Sequence, residues 1–595
     1  MTAKKIFSFF PYYYSPHLET DLEIIHQHVE CGDNVTVFVC GGELPACDGN
    51  SNHEKAVCNH CIGRRRNALN LAGLSDKVTL RSFLNLKESD WELLKRYQGV
   101  KVEALDQLFS IRLENCLIGK TIYNEMVSLK HETKPDLQEA AAYVTGSIES
   151  CALIYLSFKN HFIEEHPDVF YTFNGRFVVS NPAISAARAT NTNFAVHDRA
   201  PTMNRYSLVH NESLHSLRYW KNLIATTWDK SELNLEERYS LANRWFQARL
   251  DNQKQGWFSF TAEQTIDLPD SFDASKINIV IFDSSEWEYN GMDEYDLPFY
   301  ADQSAGLLAI AESLKSAPDI QIYHRVHPHL KDKVNAQTTF VAEKLTNQFS
   351  NYEVIAAGSP VKTYQLMRNA NLVITFGSTA GIEAPYLEVP SILLGHALYE
   401  DLDACITPAN HDELIDIILN RKFELAADER EKRKLNALKY GFYAQTGGIP
   451  FKLFEQVDVY EMRLNGEKVA EKPPVYELGL KRELAARDDL GSLSKPNPLT
   501  YIAQEMTSRL DKFAHENATL SKEVEALRAS RDDHARATEK VSHELGAFKK
   551  AYERKIATLT EENLSLQDQV KRAKPSLLRS AIIRFKSLTR SVSGN

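Results

Sequence analysis

The chain has 595 residues, 43% of them hydrophobic and 25% charged, a globular composition that excludes a wholly disordered or fibrous protein. At about 150 residues per domain it has room for about four domains. The formal net charge of −11 argues against a nucleic-acid partner, which needs a basic footprint. No run of about 18 uninterrupted apolar residues occurs. The first residues, with Pro11 and three tyrosines soon after Lys4 and Lys5, lack a signal peptide's apolar core, so a cytoplasmic protein is expected.

Residues 1–265 read as a first α/β domain. Short β-rich runs at Lys5–Phe10, Asn34–Cys40, Val169–Phe173 and Phe194–His197 are separated by stretches of helical period, among them Leu18–Glu30 and Leu137–Glu165. Strands alternating with helices imply a parallel sheet. Two of the runs end in polar groups, Asn174-Gly175-Arg176 and Asp198-Arg199. Ligands of open parallel sheets bind at the carboxyl ends of strands, so these tips are expected to carry chemistry.

Five of the eight cysteines lie in the first 61 residues, four of them as Cys40-x6-Cys47-x10-Cys58-x2-Cys61 with His53 and His60 nearby. Four thiols at this range suit a structural zinc that staples a loop. Uncoordinated thiols or a redox pair remain the alternatives. Arg64-Arg65-Arg66 reads as a solvated helix start or as a contact for a ligand phosphate.

Residues 276–460 read as a second α/β domain. Its strands, Ile277–Phe282, Ile320–His324, Tyr352–Ile355, Asn371–Thr375 and Ser391–Leu394, are apolar without alternation, as expected of strands covered on both faces. The first is followed by Asp283-Ser284-Ser285-Glu286 and the second by Arg325-Val326-His327-Pro328. Arg325 and His327, two apart, share a side if the strand continues, and a cation beside an imidazole can neutralise a diphosphate. The fourth strand runs into Gly377-Ser378-Thr379 and a helix from about Ala380. Glycine lets the backbone approach a ligand, and the hydroxyls and N–H groups of a helix start suit an anion, though Ser and Thr are also ordinary helix caps. Glu383, one turn further on, is placed to bind a ribose hydroxyl or a base.

Beyond 460 the composition changes. Residues 461–500, bearing Pro473, Pro474, Pro496 and Pro498, read as a linker. Over 501–572, Met506, Leu510, Phe513, Asn517, Leu520, Val524 and Leu527 alternate spacings of four and three, the seam of a coiled coil. Asn517 and Asn563 at seam positions favour self-association into a homo-oligomer over a single helix folding back on the body. The tail, 575–595, mixes Leu577, Ile582, Ile583 and Phe585 with cations and no acid. It reads as a basic amphipathic helix for peripheral contact with the inner face of the cytoplasmic membrane, or as a solvated terminus.

Arg325-x-His327-Pro328, followed by Gly377-Ser-Thr-Ala-Gly-Ile-Glu-Ala384 and Pro390-Ser-Ile-Leu-Leu-Gly395, resembles the bacterial capsule polysaccharide biosynthesis proteins. These include the Kdo transferases, which adopt the GT-B fold. Bacterial GT-B sialyltransferases share a His-Pro and a Ser-Ser/Thr motif that together bind the nucleotide of a CMP-sugar. The resemblance spans about 320–400, is looser over Phe173–Arg176 and His197–Arg199, and is absent from 465–595. It implies two doubly wound Rossmann-like domains facing a cleft, with the donor phosphate held by His327 and Pro328 and assisted by Ser378 and Thr379. CDP-glycerol-type phosphotransferases and UDP-sugar epimerases carry comparable helix starts, which leaves the donor open.

The function so implied is transfer of a sugar from a nucleotide-sugar donor to a surface polysaccharide or a lipid-linked acceptor. A nucleotide-linked polyol-phosphate transferase and a non-catalytic nucleotide-sugar-binding scaffold are the alternatives. Glycosyl transfer needs a base for the acceptor hydroxyl or a carboxylate nucleophile. Asp198 is the first candidate and Glu286, with Asp283 near it, the second. Gly377 and Glu383, with Arg325 and the Ser284 and Ser285 hydroxyls, complete the donor set, and Asn174, Arg176 and Arg199 form the acceptor side. No cofactor is expected in catalysis, because Arg325 and His327 can neutralise the phosphate.

Overall fold

The computed structural model describes residues 3–9, 15–253 and 263–469, together with the helical residues 550, 554, 555, 558 and 561. The expected coiled coil, apart from those five residues, and the basic tail lie outside the described residues. Residues 3–469 fall within one compact unit, built from two sheets.

The first sheet contains β1 (Lys5–Phe9), β2 (Asn34–Val39), β3 (Thr79–Ser82), β4 (Val169–Phe173), β5 (Phe194–Arg199) and β6 (Arg205–His210). The second contains β7 (Ile277–Phe282), β8 (Ile320–Arg325), β9 (Tyr352–Ile355), β10 (Leu372–Thr375) and β11 (Ser391–Leu393). A further strand, β12 (Ile449–Pro450), pairs antiparallel with β6. A small separate sheet follows, made of β13 (Glu455–Asp458), β14 (Glu461–Leu464) and β15 (Glu467–Lys468).

The strand orders are β12-β6-β5-β4-β1-β2-β3 and β11-β10-β7-β8-β9. Counted within each lobe, the five parallel strands stand in one order, 3-2-1-4-5. That is a doubly wound Rossmann-like sheet, and its ligand crevice opens where the order reverses, between the first and fourth strands. In the second lobe the crevice lies at the ends of β7 and β10. In the first it lies at the ends of β1 and β4.

The first lobe is held by the 25-residue helix Ala141–Glu165, apolar almost all round because it is mostly buried. It is long and apolar enough to cross a bilayer, but it packs inside the lobe. Phe158 at its centre lies 4.9 Å from Phe9, 5.4 Å from Phe38 and 5.1 Å from Phe170, ring centre to ring centre. One helix side chain thus pins three adjacent strands, and truncating such a phenylalanine costs about 3–5 kcal/mol.

The chain does not divide at 460 as expected. The helix Ala427–Thr446 packs along the helix Leu235–Leu250, and β12 then returns to the first sheet. Phe454, Met462 and Leu464 bury against Leu22 and Ile25 of the helix His17–Glu30. The stretch 449–469 therefore completes the first lobe, so 461–469 are not linker, and the rest of the expected linker lies outside the described residues. Apolar residues at Phe454, Met462 and Leu464, which a linker would not need, account for the difference.

Candidate functional site

Three neighbouring strand ends build the second lobe's half of the site. Beyond β7, Asp283 is buried and takes the backbone N–H of His327 on one oxygen. Its other oxygen accepts from Gln337 Nε2 at 3.2 Å and lies 3.3 Å from His324 Nε2. This buried carboxylate fixes the turn after β8. His327 then caps the short turn Pro328–Leu330, its Nδ1 accepting from the His329 N–H at 3.2 Å. The Ser285 hydroxyl lies 3.1 Å from the same nitrogen. With Nδ1 an acceptor, the ring proton belongs on Nε2. Burial, the largest influence, lowers the His327 pKa, so the ring is neutral at pH 7.

Ser284 donates its N–H to Gln303 at 2.8 Å, and its hydroxyl has no partner among the described residues. Glu286 accepts the N–H of Ser304, at the start of the helix Gln303–Leu314, at 3.1 Å. Burial, followed by repulsion from Asp302, raises the Glu286 pKa to about 7. A carboxyl titrating there can give or take a proton near neutrality.

At the end of β10, Gly377 has φ +134°, and a Cβ there would stand 2.9 Å from the His396 carbonyl oxygen, so only glycine fits. The Ser378 N–H donates to Thr375 Oγ1 at 3.0 Å, and the Ser378 hydroxyl accepts from the Ala380 N–H at 3.4 Å. Thr379 and Glu383 turn toward the helix Leu235–Leu250. Arg249 donates from Nη2 to the Thr379 hydroxyl at 3.3 Å and from Nε to the Glu383 carboxylate. Although burial opposes its charge, the neighbouring Glu383 holds the Arg249 guanidinium pKa above its ordinary value.

Two expected donor contacts need correction. The β8 strand stops at Arg325, so Arg325 and His327 do not share a strand face. The Arg325 side chain is buried and donates to the carbonyls of Ala356 at 2.7 Å and Ser359 at 3.0 Å. It ties down the loop after β9. Glu383 is likewise occupied, its carboxylate neutralised by Arg249, so it pairs two helices and does not wait for a ribose.

In the first lobe, Asn174 holds Asp198, its Nδ2 donating to Oδ2 at 2.8 Å. The other Asp198 oxygen accepts the Arg199 N–H at 2.7 Å and lies 3.9 Å from His17 Nδ1. The Asp198 side chain remains 23% exposed, which leaves it accessible. His17, the first residue of its helix, packs on the Phe173 ring at 3.7 Å between centres. Burial, then the Arg199 charge, lowers its pKa well below the usual value. Behind it the buried His197 bonds Asp21 at 2.9 Å. Arg176 crosses to the second lobe and donates to the Glu288 carbonyl at 3.0 Å, while Arg199 lies over the Tyr460 ring at 4.8 Å. The Arg64-Arg65 pair is buried in mid-helix, not at a solvated helix start; Arg64 meets Glu19 at 3.2 Å.

His17, Gln337, Asp302 and Arg249 were not anticipated. His17 had a signal, since it opens the first helix after the first strand of a doubly wound sheet. Arg249 had none, because its partners lie 130 residues and more downstream.

The four cysteines Cys40, Cys47, Cys58 and Cys61 form no disulfide, and burial, then the Asp48 charge, raises the Cys47 pKa well above its usual value. The donor set suits zinc in its chemistry. Among the described residues, however, no three His, Cys, Asp or Glu side chains stand where they could hold a metal.

Two Rossmann-like sheets of one order, with strand ends gathered along an interlobe seam, define the GT-B architecture. Within it, residues 294–404 match the model of the family described as capsule polysaccharide biosynthesis protein. The matched segment contains His327, Pro328, Gly377, Ser378, Thr379 and Glu383 and supports the resemblance drawn from those motifs. No curated protein matches the chain. Among solved structures, the chain is similar to the Thermosulfurimonas dismutans KpsC beta Kdo 2,4 transferase. The identity is 12%, over 46% of this chain and 80% of that one, at a TM-score of 0.31. The beta Kdo 2,7 transferase of the same protein gives 13% identity over 54% and 88%, at 0.29. A UDP-GlcNAc 2-epimerase from Neisseria meningitidis gives 11% over 74% and 97%, at 0.26.

Proposed function

We propose that the protein is a glycosyltransferase of surface-polysaccharide assembly, moving a sugar from a nucleotide-sugar donor, a CMP-sugar in the first instance, to a polysaccharide or lipid-linked acceptor. The observation that carries this reading is the meeting of Ser285 with His327, 3.1 Å apart, at a strand end inside the segment matched by the capsule family. The Ser284 hydroxyl and the Nε2–H of His327 supply neutral donors for the donor phosphate, Ser285 orients the ring by donating to Nδ1, and Gly377 lets the phosphate approach the backbone.

Asp198 serves as the base for the acceptor hydroxyl or as the nucleophile, held by Asn174 in either role. Glu286, titrating near neutrality, is the second proton carrier. The chain's own residues suffice for these steps without a catalytic cofactor. The coil and tail add self-association and peripheral membrane contact at the cytoplasmic face. Deleting 575–595 should release the protein from membranes on fractionation, and unchanged association would end that part of the proposal.

The test is turnover of a panel of CMP-, UDP- and GDP-sugars by the full-length protein, with and without acceptor glycans. Release of nucleotide with transfer of the sugar is expected. Binding without turnover would make the protein a scaffold, and transfer of a polyol phosphate from a CDP-polyol would make it a phosphotransferase.

A further inference from the structure

A pocket of about 330 Å³ opens between the lobes. Its first-lobe wall comes from the β4 tip and the helices Ile118–Lys130 and Asn181–Ala189, and its second-lobe wall is the turn 291–294. A hydrogen-bond relay links it to the candidate catalytic carboxylate: His215, in its wall, bonds Asn174 at 3.3 Å, and Asn174 holds Asp198 at 2.8 Å.

Neutral hydrogen-bonding groups dominate the lining. Asn124, Asn181, Ser185 and Ser213 are among them, and the Asn124 carbonyl oxygen has no donor among the described residues. Amides and hydroxyls in this density suit a polyhydroxylated ligand. The volume lies at the small end for ligand pockets and fits about one or two sugar rings.

The lining carries three cations, Lys120, Arg176 and Arg188, against two anions, Asp293 and Glu294, so its charges do not cancel; Arg176 is held by the Glu288 carbonyl at 3.0 Å. Lys120 is neutralised by Asp293, at 2.6 and 2.7 Å. Glu294 is taken up by the Leu217 N–H at 2.8 Å. The Arg188 guanidinium makes no hydrogen bond among the described residues; it stacks on Phe194, 5.3 Å from the ring centre. Glu212, the carboxylate that acts on Arg188, is itself paired with Arg218 at 2.6 Å. A guanidinium presents five N–H donors in a fork that matches a carboxylate or phosphate.

We propose that this pocket binds the terminal sugar of the acceptor, that this sugar carries an anionic group, and that Arg188 reads that group. The inference rests on the glycosyltransferase reading for the word acceptor, but the pocket's preference for an anionic sugar can be measured without turnover.

The experiment is binding of glucose, glucuronate and glucose 6-phosphate to the full-length protein, followed by ligand-observed NMR, for wild type and Arg188→Met. Wild type should bind at least one anionic sugar about 10-fold tighter than glucose, and Arg188→Met should remove that preference while leaving glucose unchanged. Arg188→Lys, which keeps the charge and loses the fork, should retain part of it. Whichever anion shows the larger loss identifies carboxylate or phosphate. Equal binding of all three sugars to wild type overturns the proposal, as does a preference that survives in Arg188→Met. Thermal melts of both variants should match wild type, because Arg188 is exposed. If the donor panel shows no turnover while the preference is present and depends on Arg188, the pocket stands and the transferase reading falls.

Discussion

His327 receives two hydrogen bonds on a single nitrogen: Nδ1 lies 3.1 Å from the Ser285 hydroxyl and 3.2 Å from the His329 N–H. That arrangement leaves Nε2 as the protonated nitrogen and makes the ring a neutral donor. Removing a preorganised donor from a developing phosphate charge costs about 10²–10³-fold in rate. His327→Ala should therefore lower donor turnover by about that factor with little change in melting temperature. Ser285→Ala, which loses one hydrogen bond of about 1 kcal/mol, should lower it only about five-fold. Equal losses in the two variants would show that Ser285 does more than orient the ring.

Asp198 is separable from donor binding because it belongs to the other lobe. Asp198→Ala should leave the affinity for the nucleotide unchanged, read by calorimetry, while transfer to acceptor falls by about 10²-fold or more. Asn174→Ala, which removes only the 2.8 Å amide contact that aims the carboxylate, should give a smaller loss. Normal transfer by Asp198→Ala removes that residue from the mechanism.

Glu286 provides a test by pH. Burial and Asp302 raise its pKa to about 7 in the folded chain, against about 4.3 when unfolded. Between those values the folded state binds the proton more tightly, so Glu286 lowers stability as pH rises from about 4.3 through about 7. Glu286→Gln should match wild type in melting temperature below pH 4. Above pH 7 it should be more stable by about 1 kcal/mol, a figure discounted for solvent screening because the side chain is only partly buried. Parallel curves for the two proteins across that range would refute the raised pKa.

Much of the architecture could be read from residue pattern alone. Val169–Phe173, Ile277–Phe282 and Tyr352–Ile355 are apolar, β-branched and aromatic runs, and each is a strand over the expected residues. Thr79–Ser82 escaped notice because an edge strand with exposed Thr79 and Leu80 shows no buried face. The return of 449–469 to the first sheet depends on contacts with residues more than 200 positions away, which no local pattern carries. His327 lies just after a strand, where the pattern places it. Arg325 was misjudged by the assumption that the strand runs on; it stops there, and the carbonyls of Ala356 and Ser359 take the guanidinium.

Arg249 and Glu383 form a largely buried ion pair, with side-chain exposures of 28% and 6%. Removing one partner of such a pair leaves an uncompensated charge and costs about 3–5 kcal/mol. Arg249→Met should therefore destabilise the fold by about 3 kcal/mol in urea denaturation, and Glu383→Gln by less, since the more exposed arginine can reach water. The double variant should recover part of the loss, as expected of coupled sites. Additive effects would deny the coupling, and a loss of nucleotide affinity in Glu383→Gln at unchanged stability would return Glu383 to the donor site.

The cysteine cluster supplies the last prediction, and zinc there is a proposal that needs movement. The Cys40 sulfur accepts the Gly42 N–H at 3.3 Å and the Cys58 sulfur accepts from Asn50 at 3.2 Å, the kind of outer contact that supports a metal-bound thiolate. Burial pushes the Cys40 thiol up to about 12 and also raises Cys47 and Cys61, so a metal would have to displace their protons as it draws the sulfurs into one shell. The zinc proposal expects one metal per chain by elemental analysis of protein purified without chelator. Cys47→Ser should lose it, and chelation should lower the melting temperature. Folded, active protein without metal, whose four thiols react with a thiol reagent only after denaturation, would establish the cluster as packed, protonated cysteines.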